Sequence, residues 1–167
     1  MSTPVRVDKQ EIAERLKERI YVTFTALAVV LALLSHGEPS WQEALSTLAI
    51  AVVGTLLAVF IADVLARTTV NERLLSREEF GHVVSVVLGA LGAIVLPVLL
   101  LVLAALDVWS VDNALLASAF SLVLALVVFG FIAVRKTRLP WWQRALVLLA
   151  EALLGLLVIA LELLAHG

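Results

Sequence analysis

The sequence predicts an all-α integral membrane protein with five transmembrane helices, preceded by a short amphipathic N-terminal helix. Hydrophobic residues make up 62% of the 167-residue chain, charged residues only 16%, and the mean hydropathy is +1.08. Soluble domains are usually less than half apolar. Five apolar stretches approach or reach the length that crosses a bilayer, and the basic residues fall only in alternate segments between them.

Residues 1–19 form the predicted cytoplasmic amphipathic segment. Ile12, Leu16 and Ile20 recur every four residues, which is the spacing of one apolar helix face. Glu11 and Arg15 are spaced as an i,i+4 ion pair. This pattern predicts a short helix that lies on the membrane surface or runs straight into the first span.

Residues 20–167 form a single predicted membrane domain. Ser40 and Ser76 are each followed three residues later by a glutamate, so both predict a capping box that opens a helix. Pro97 predicts a kink in the third helix, and Pro140 suits the first position of the fifth. The five spans are predicted at residues 20–35, 44–66, 81–106, 114–134 and 145–165.

The basic residues predict the orientation of these spans. Five lysines and arginines precede the first span, three lie between the second and third, and four lie between the fourth and fifth, which accounts for all 12. The positive-inside rule then predicts a multi-pass protein of the cell membrane with its N-terminus inside and its C-terminus outside. Four tryptophans sit at the predicted interfaces, as anchors do: Trp41, Trp109, Trp141 and Trp142.

Small residues repeat every four positions on the second and third spans. Such stripes let helix backbones approach closely where water cannot drive association. We interpret them as packing faces, either of these two helices against each other or of an oligomer contact. The residues are Gly54, Ala58 and Ala62 on the second span, and Gly81, Ser85 and Gly89 on the third.

The fifth helix carries the sharpest polar feature of the sequence. Spacings of seven and four place its polar and small residues along one face. A carboxylate that faces lipid costs roughly 2.5 kcal/mol or more near the helix centre, so this stripe should face protein or water. Its members are Arg144, Glu151, Gly155, Glu162 and His166.

Other polar residues fall in the cytoplasmic half of the predicted spans. Asp63 and His82 lie about one turn inside the inner surface, and Glu18, Tyr21 and Thr25 share a face of the first span. Together with the fifth-helix stripe, they form a hypothetical proton or small-cation pathway, with Glu151 as its deep site.

Structural interpretations stand beside this one. Asp63 is spaced to pair with Arg67 on its own helix. Glu18 and His82, at predicted helix ends, are expected to be solvated, and Tyr21 suits an interfacial aromatic belt.

Two functions fit the pattern. The first is proton or small-cation conduction by an oligomer, and the second is a non-catalytic membrane scaffold or small subunit that docks a partner helix. We expect no enzymatic activity, because no catalytic motif occurs, and no metal or cofactor, because the three histidines are not spaced as ligands. The expected partners are the lipid bilayer and either a second copy or a partner membrane helix, with no nucleic acid.

Two short segments carry a resemblance. Residues 18–23 (Glu-Arg-Ile-Tyr-Val-Thr) and residues 57–64 (Leu-Ala-Val-Phe-Ile-Ala-Asp-Val) resemble a group of small bacterial integral membrane proteins of unknown function. The resemblance covers the first two spans and the entry to the third. The group often has histidine where this chain has Asp63, so the position stays polar but its charge differs. The resemblance implies a membrane location and no particular activity.

Overall fold

The computed structural model describes residues 4–35, 37, 39–135, 140–143, 145, 146, 149 and 153, and within them it is helical and contains no strand. This agrees with the predicted all-α class. The helices are α1 (Pro4–Ser35), α2 (Trp41–Asn71), α3 (Arg77–Ala90), a 3₁₀ turn (Leu91–Ala93), α4 (Val95–Ala105) and α5 (Val111–Arg135).

The amphipathic segment and the first span form one continuous helix, α1, so the second of the two predicted arrangements is the one observed. No glycine or proline follows Pro4 before Ser35, and nothing in the sequence therefore breaks the hydrogen-bond ladder. The helix ends just before a loop in which Gly37 has a φ of 105°. Glycine suits this position because it has no Cβ to clash in the left-handed region.

Serine caps open α2 and α3, as predicted. The hydroxyl of Ser40 accepts the backbone N–H of Glu43 at 3.2 Å. At α3 the capping box is complete, because Ser76 accepts from the Glu79 N–H and the Glu79 carboxylate accepts from the Ser76 N–H at 2.7 Å. The guanidinium of Arg73 binds the same carboxylate with two hydrogen bonds of 2.9 and 3.0 Å. The turn between α2 and α3 is thereby fixed at both ends.

We expect Ser76→Ala to lower the free energy of unfolding by about 1 kcal/mol, because the first turn of α3 loses its hydroxyl acceptor. Chemical unfolding of the protein in detergent micelles measures this. Ser85→Ala is the control, since Ser85 is exposed on the same helix and caps nothing. Equal losses in the two variants would contradict the role of the cap.

The kink predicted at Pro97 lies upstream of the proline. The 3₁₀ turn Leu91–Ala93 separates α3 from α4, and the two helices meet at 48°. Proline lacks an N–H, and its ring clashes with the carbonyl four residues earlier, so the ladder breaks on the N-terminal side. Pro97 itself then occupies the first turn of α4, where no intrahelical N–H bond is needed.

The fifth predicted span lies mostly outside the described residues. The N–H of Gln143 donates to the Pro140 carbonyl at 3.1 Å, and residues 141–143, 145, 146, 149 and 153 are helical. Within the described residues, three helices are long and apolar enough to cross a membrane, and the bent pair α3–α4 gives a fourth if it counts as one span.

Helix α1 lies at the centre of the described bundle and packs against α2, α3 and α5. Its buried face packs against residues of α2 that recur every four positions and form one stripe. The main buried residues are Val22, Ala26, Leu27 and Val30 of α1, Ala44, Leu48, Val52 and Leu56 of α2, Val83 and Ala90 of α3, and Leu115 and Leu122 of α5.

The described helices run up and down, so their connections gather at two ends. At one end lie the N-terminal half of α1, the turn 72–76 and the last turns of α5, which we name the charged end. At the other end the turn before α2 approaches the start of α5, where Pro39 and Ser110 line one pocket.

Candidate functional site

Charged side chains from three helices meet at the charged end of the bundle. Glu14, Lys17 and Glu18 come from α1, and spacings of three and four residues keep them close on that helix. Their neighbours are Asp63 and Arg67 of α2 and His82 of α3. We call these six residues the charged cluster.

Glu14 joins all three helices. Its Oε2 accepts a hydrogen bond from Nη2 of Arg67 at 2.8 Å and lies 3.4 Å from Nε2 of His82. All three side chains are partly exposed. A cation and an imidazole from two different helices thus share one carboxylate oxygen of α1.

Lys17 joins the two other acids of the cluster. Its Nζ lies 2.9 Å from Oε1 of Glu18 and 3.5 Å from Oδ1 of Asp63. The cluster therefore contains three carboxylates against two permanently cationic groups. It has one negative charge in excess while His82 is neutral, and it is balanced when His82 is protonated.

Glu18 is the most enclosed member of the cluster. Its side chain has 0% of its surface exposed, whereas that of Lys17 is 46% exposed. Apart from the contact with Lys17, neither carboxylate oxygen has a hydrogen-bond partner among the described residues. Enclosing a carboxylate is costly unless it is paired and hydrogen-bonded, so Glu18 depends on a single cation. The expectation that Glu18 is solvated is wrong.

Two predicted pathway residues, Asp63 and His82, belong to the cluster. Asp63 is near Lys17 of α1, while Arg67 binds Glu14, so the observed ion pairs cross between helices. The predicted pairing of Asp63 with Arg67 within α2 is therefore replaced by two interhelical pairs. His82 is only partly exposed and faces Glu14, in place of the expected solvated position.

Tyr21 and Thr25, the other predicted residues of the first span, lie in different surroundings. Tyr21 is 51% exposed and points away from the core, as an interfacial aromatic residue would. The hydroxyls of Thr25 and Thr55 are 3.2 Å apart, and Thr55 also lies 3.0 Å from the Ala51 carbonyl. Thr55 has one hydroxyl proton, so it donates to either the Thr25 hydroxyl or the Ala51 carbonyl at any moment. This polar contact lies about 10 Å beyond Glu18 along α1.

The small-residue stripes do not join α2 to α3 in the described part of the bundle. Gly54, Ala58 and Ala62 are exposed, and a Cβ built at Gly54 or Gly81 would meet nothing within 4 Å among the described residues. Ser85 is exposed as well. Helix α2 packs into the bundle through its opposite face, where leucine and valine side chains are buried.

Gly89 has a different neighbour from the one predicted. A Cβ built at this position would lie 3.8 Å from Nη1 of Arg15, so a side chain of α1 passes close to the backbone of α3 here. The glycine thus faces a guanidinium of α1 instead of the small residues of α2.

The polar stripe of the fifth helix lies outside the described residues. It comprises Arg144, Glu151, Gly155, Glu162 and His166, and its role in a pathway remains a prediction. Among the residues that are described, no group of three or more His, Cys, Asp or Glu side chains is arranged to hold a metal ion.

Three members of the cluster were not predicted as site residues: Glu14, Lys17 and Arg67. Glu18 was placed on the face of Tyr21 and Thr25 but was expected to be solvated. Glu14, Glu18 and Thr25 follow spacings of four and seven, so they lie close to one line on α1. That line was a usable signal. Acids placed on the apolar side of a helix that continues into the membrane are expected to meet partners on neighbouring helices.

Comparison with protein-family models, curated proteins and solved structures finds no match to this chain. The fold therefore defines the class on its own: an all-helical protein with several helices long and apolar enough to cross a membrane.

Proposed function

We propose that the chain is a five-span protein of the cell membrane, with its N-terminus inside and its C-terminus outside. All the lysines and arginines lie in three segments: the N-terminal segment, residues 67–77 around the α2–α3 turn, and the segment that begins at Arg135. The described parts of these three segments meet at the charged end, which would face the cytoplasm. Trp41 and Trp109 lie near the opposite end, where they suit the outer interface.

Within this arrangement we propose that the protein handles protons or small cations. The observation that carries the proposal is Glu18, a carboxylate with no exposed surface inside an apolar helical bundle. Ionisable groups at such positions are rare because they are expensive, and they mark ion and proton pathways. Lys17, its one partner among the described residues, is also near Asp63, so Glu18 and Asp63 share one cation.

The cluster supplies a chemical route from the partly exposed rim to Glu18. His82 lies against Glu14, which is one helical turn from Glu18 on α1. Lys17 lies near both Glu18 and Asp63, so it links the enclosed carboxylate to a partly exposed one. The Thr25–Thr55 hydroxyls lie further along the same face. The predicted fifth-helix stripe, with Glu151 and Glu162, would continue the route to the outer side.

Proton flux in proteoliposomes tests the proposal, with an internal pH dye and a potassium diffusion potential. We expect flux in the wild-type protein and a fall to the level of protein-free liposomes in Glu18→Gln, because the amide cannot accept a proton. Glu151→Gln tests the fifth-helix prediction in the same assay. Glu78→Gln is the matched control, since Glu78 is exposed in the first turn of α3. Each variant is first checked for equal folding and insertion.

No flux in the wild-type protein, under proton or alkali-cation gradients, would overturn the proposal. So would a Glu18→Gln protein that conducts as well as the control. The second candidate function, a scaffold that docks a partner helix, would then gain support. The observation that favours it is the small-residue face of α2, which is exposed in the described part of the chain and leaves room there for a helix backbone beside Gly54.

A further inference from the structure

A cleft of about 180 Å³ lies between α1 and α5 at the charged end of the bundle. It is separate from the charged cluster, because the acids of that cluster meet α2 and α3. One wall comes from α1 and the other from α5. The lining residues are Ile12, Arg15, Leu16 and Arg19 of α1, and Phe129 and Ile132 of α5.

The cleft combines two cations with apolar walls. Arg15 and Arg19 are four residues apart and therefore lie one above the other on α1. The facing wall is Phe129 and Ile132, and none of the lining residues that the structure describes is a carboxylate. Arg135, three residues after Ile132, adds a further positive charge in the last turn of α5.

This combination selects a ligand with an anionic head and an apolar tail. Guanidinium groups bind phosphate with paired hydrogen bonds, and Arg15 has five N–H donors, enough to bind a phosphate together with another partner. A free phosphate would gain nothing from Leu16 or Phe129, whereas an acyl chain would cover them. Basic pockets between membrane helices on the cytoplasmic side are typical sites for anionic headgroups.

We propose that the α1–α5 cleft binds one anionic phospholipid, with its phosphate held by Arg15 and Arg19 and its acyl chain against Leu16, Phe129 and Ile132. This inference rests on the proposed membrane location and orientation of α1 and α5, but it does not depend on proton handling. It assigns the two arginines a role that the charged cluster does not use.

Native mass spectrometry of the full chain, released from detergent with added dioleoylphosphatidylglycerol or dioleoylphosphatidylcholine, tests this site. We expect the wild-type protein to retain one phosphatidylglycerol in preference to phosphatidylcholine. Arg19→Gln should weaken phosphatidylglycerol binding about fivefold, and Arg15→Gln/Arg19→Gln about 20-fold, since each removes a cation near the headgroup. Arg77→Gln is the matched control, because Arg77 is an exposed cation at the start of α3, outside the cleft.

The control should bind phosphatidylglycerol as the wild-type protein does. Equal retention of the two lipids by the wild-type protein, or an equal loss in Arg77→Gln, would overturn the proposal. Displacement of phosphatidylglycerol by millimolar inorganic phosphate would also overturn it, because it would indicate a site for the free anion. A wild-type preference that only the cleft variants lose would support it.

Discussion

Lys17→Met is expected to lower the free energy of unfolding by about 3 kcal/mol, at the low end of the range for breaking a buried ion pair. The substitution leaves Glu18 enclosed with no exposed surface and without its cation. The loss stays at the low end because Lys17 itself is 46% exposed, so water reaches its ammonium group. Equilibrium unfolding in detergent micelles at neutral pH measures it.

A double-mutant cycle provides the control for this first prediction. Glu18→Gln removes the enclosed charge and should cost about 1 kcal/mol or less, because an amide needs no cation. Lys17→Met/Glu18→Gln should therefore regain most of the stability that Lys17→Met loses. If the double variant is as unstable as Lys17→Met alone, the enclosed carboxylate is not the source of the loss.

Leu27→Ala is expected to destabilise the bundle by about 2 kcal/mol. Leu27 is fully buried in α1, the helix that contacts α2, α3 and α5, so truncating it leaves a cavity at the centre of the core. The value is below that of many soluble cores, since lipid is as apolar as the core and the transfer term is small. Most of the expected loss in the free energy of unfolding comes from the van der Waals contacts that the missing methyl groups no longer make.

Leu57→Ala is the matched control for the second prediction. Leu57 is 56% exposed on α2, and truncating it opens no cavity among the described residues. We expect a change below about 0.5 kcal/mol. Thermal unfolding of the two variants in the same detergent compares them directly, and similar losses would contradict the central position of Leu27.

The helix boundaries were largely predictable, because they depend on local chemistry. Ser40 and Ser76 open helices, and glycine or proline lies near two of the breaks, the α1–α2 loop and the α3–α4 bend. The two other breaks contain neither, and there Glu72 and Asp107 take a positive φ. The errors are local too. Helix α2 continues to Asn71 past the predicted residue 66, since residues 67–71 contain no helix breaker. The 48° bend begins at Leu91 because proline disrupts the turn before it, an effect that apolar span lengths do not reveal.

The charged cluster was only partly predictable, because its pairs join residues far apart in sequence. Asp63 and Arg67 have the spacing of a pair within one helix, and spacing alone favours that pair. The neighbouring α1 places Lys17 and Glu14 at the same level, and these take the two partners instead. Knowing which helices are neighbours decides the outcome. The periodicity of apolar helices of similar length does not show which of them are neighbours in the bundle.

The central position of α1 also has a consequence for the order of assembly. The chain is synthesised from its N-terminus, so α1 is made before α2 and α3. Glu14 and Lys17 then lack Arg67, His82 and Asp63, their partners on these later helices. Burying charges without their partners is costly, so we expect this part of α1 to stay in contact with water until α2 and α3 have been made. The charged segment of α1 is thus expected to pack last, although it is made before the helices that supply its partners.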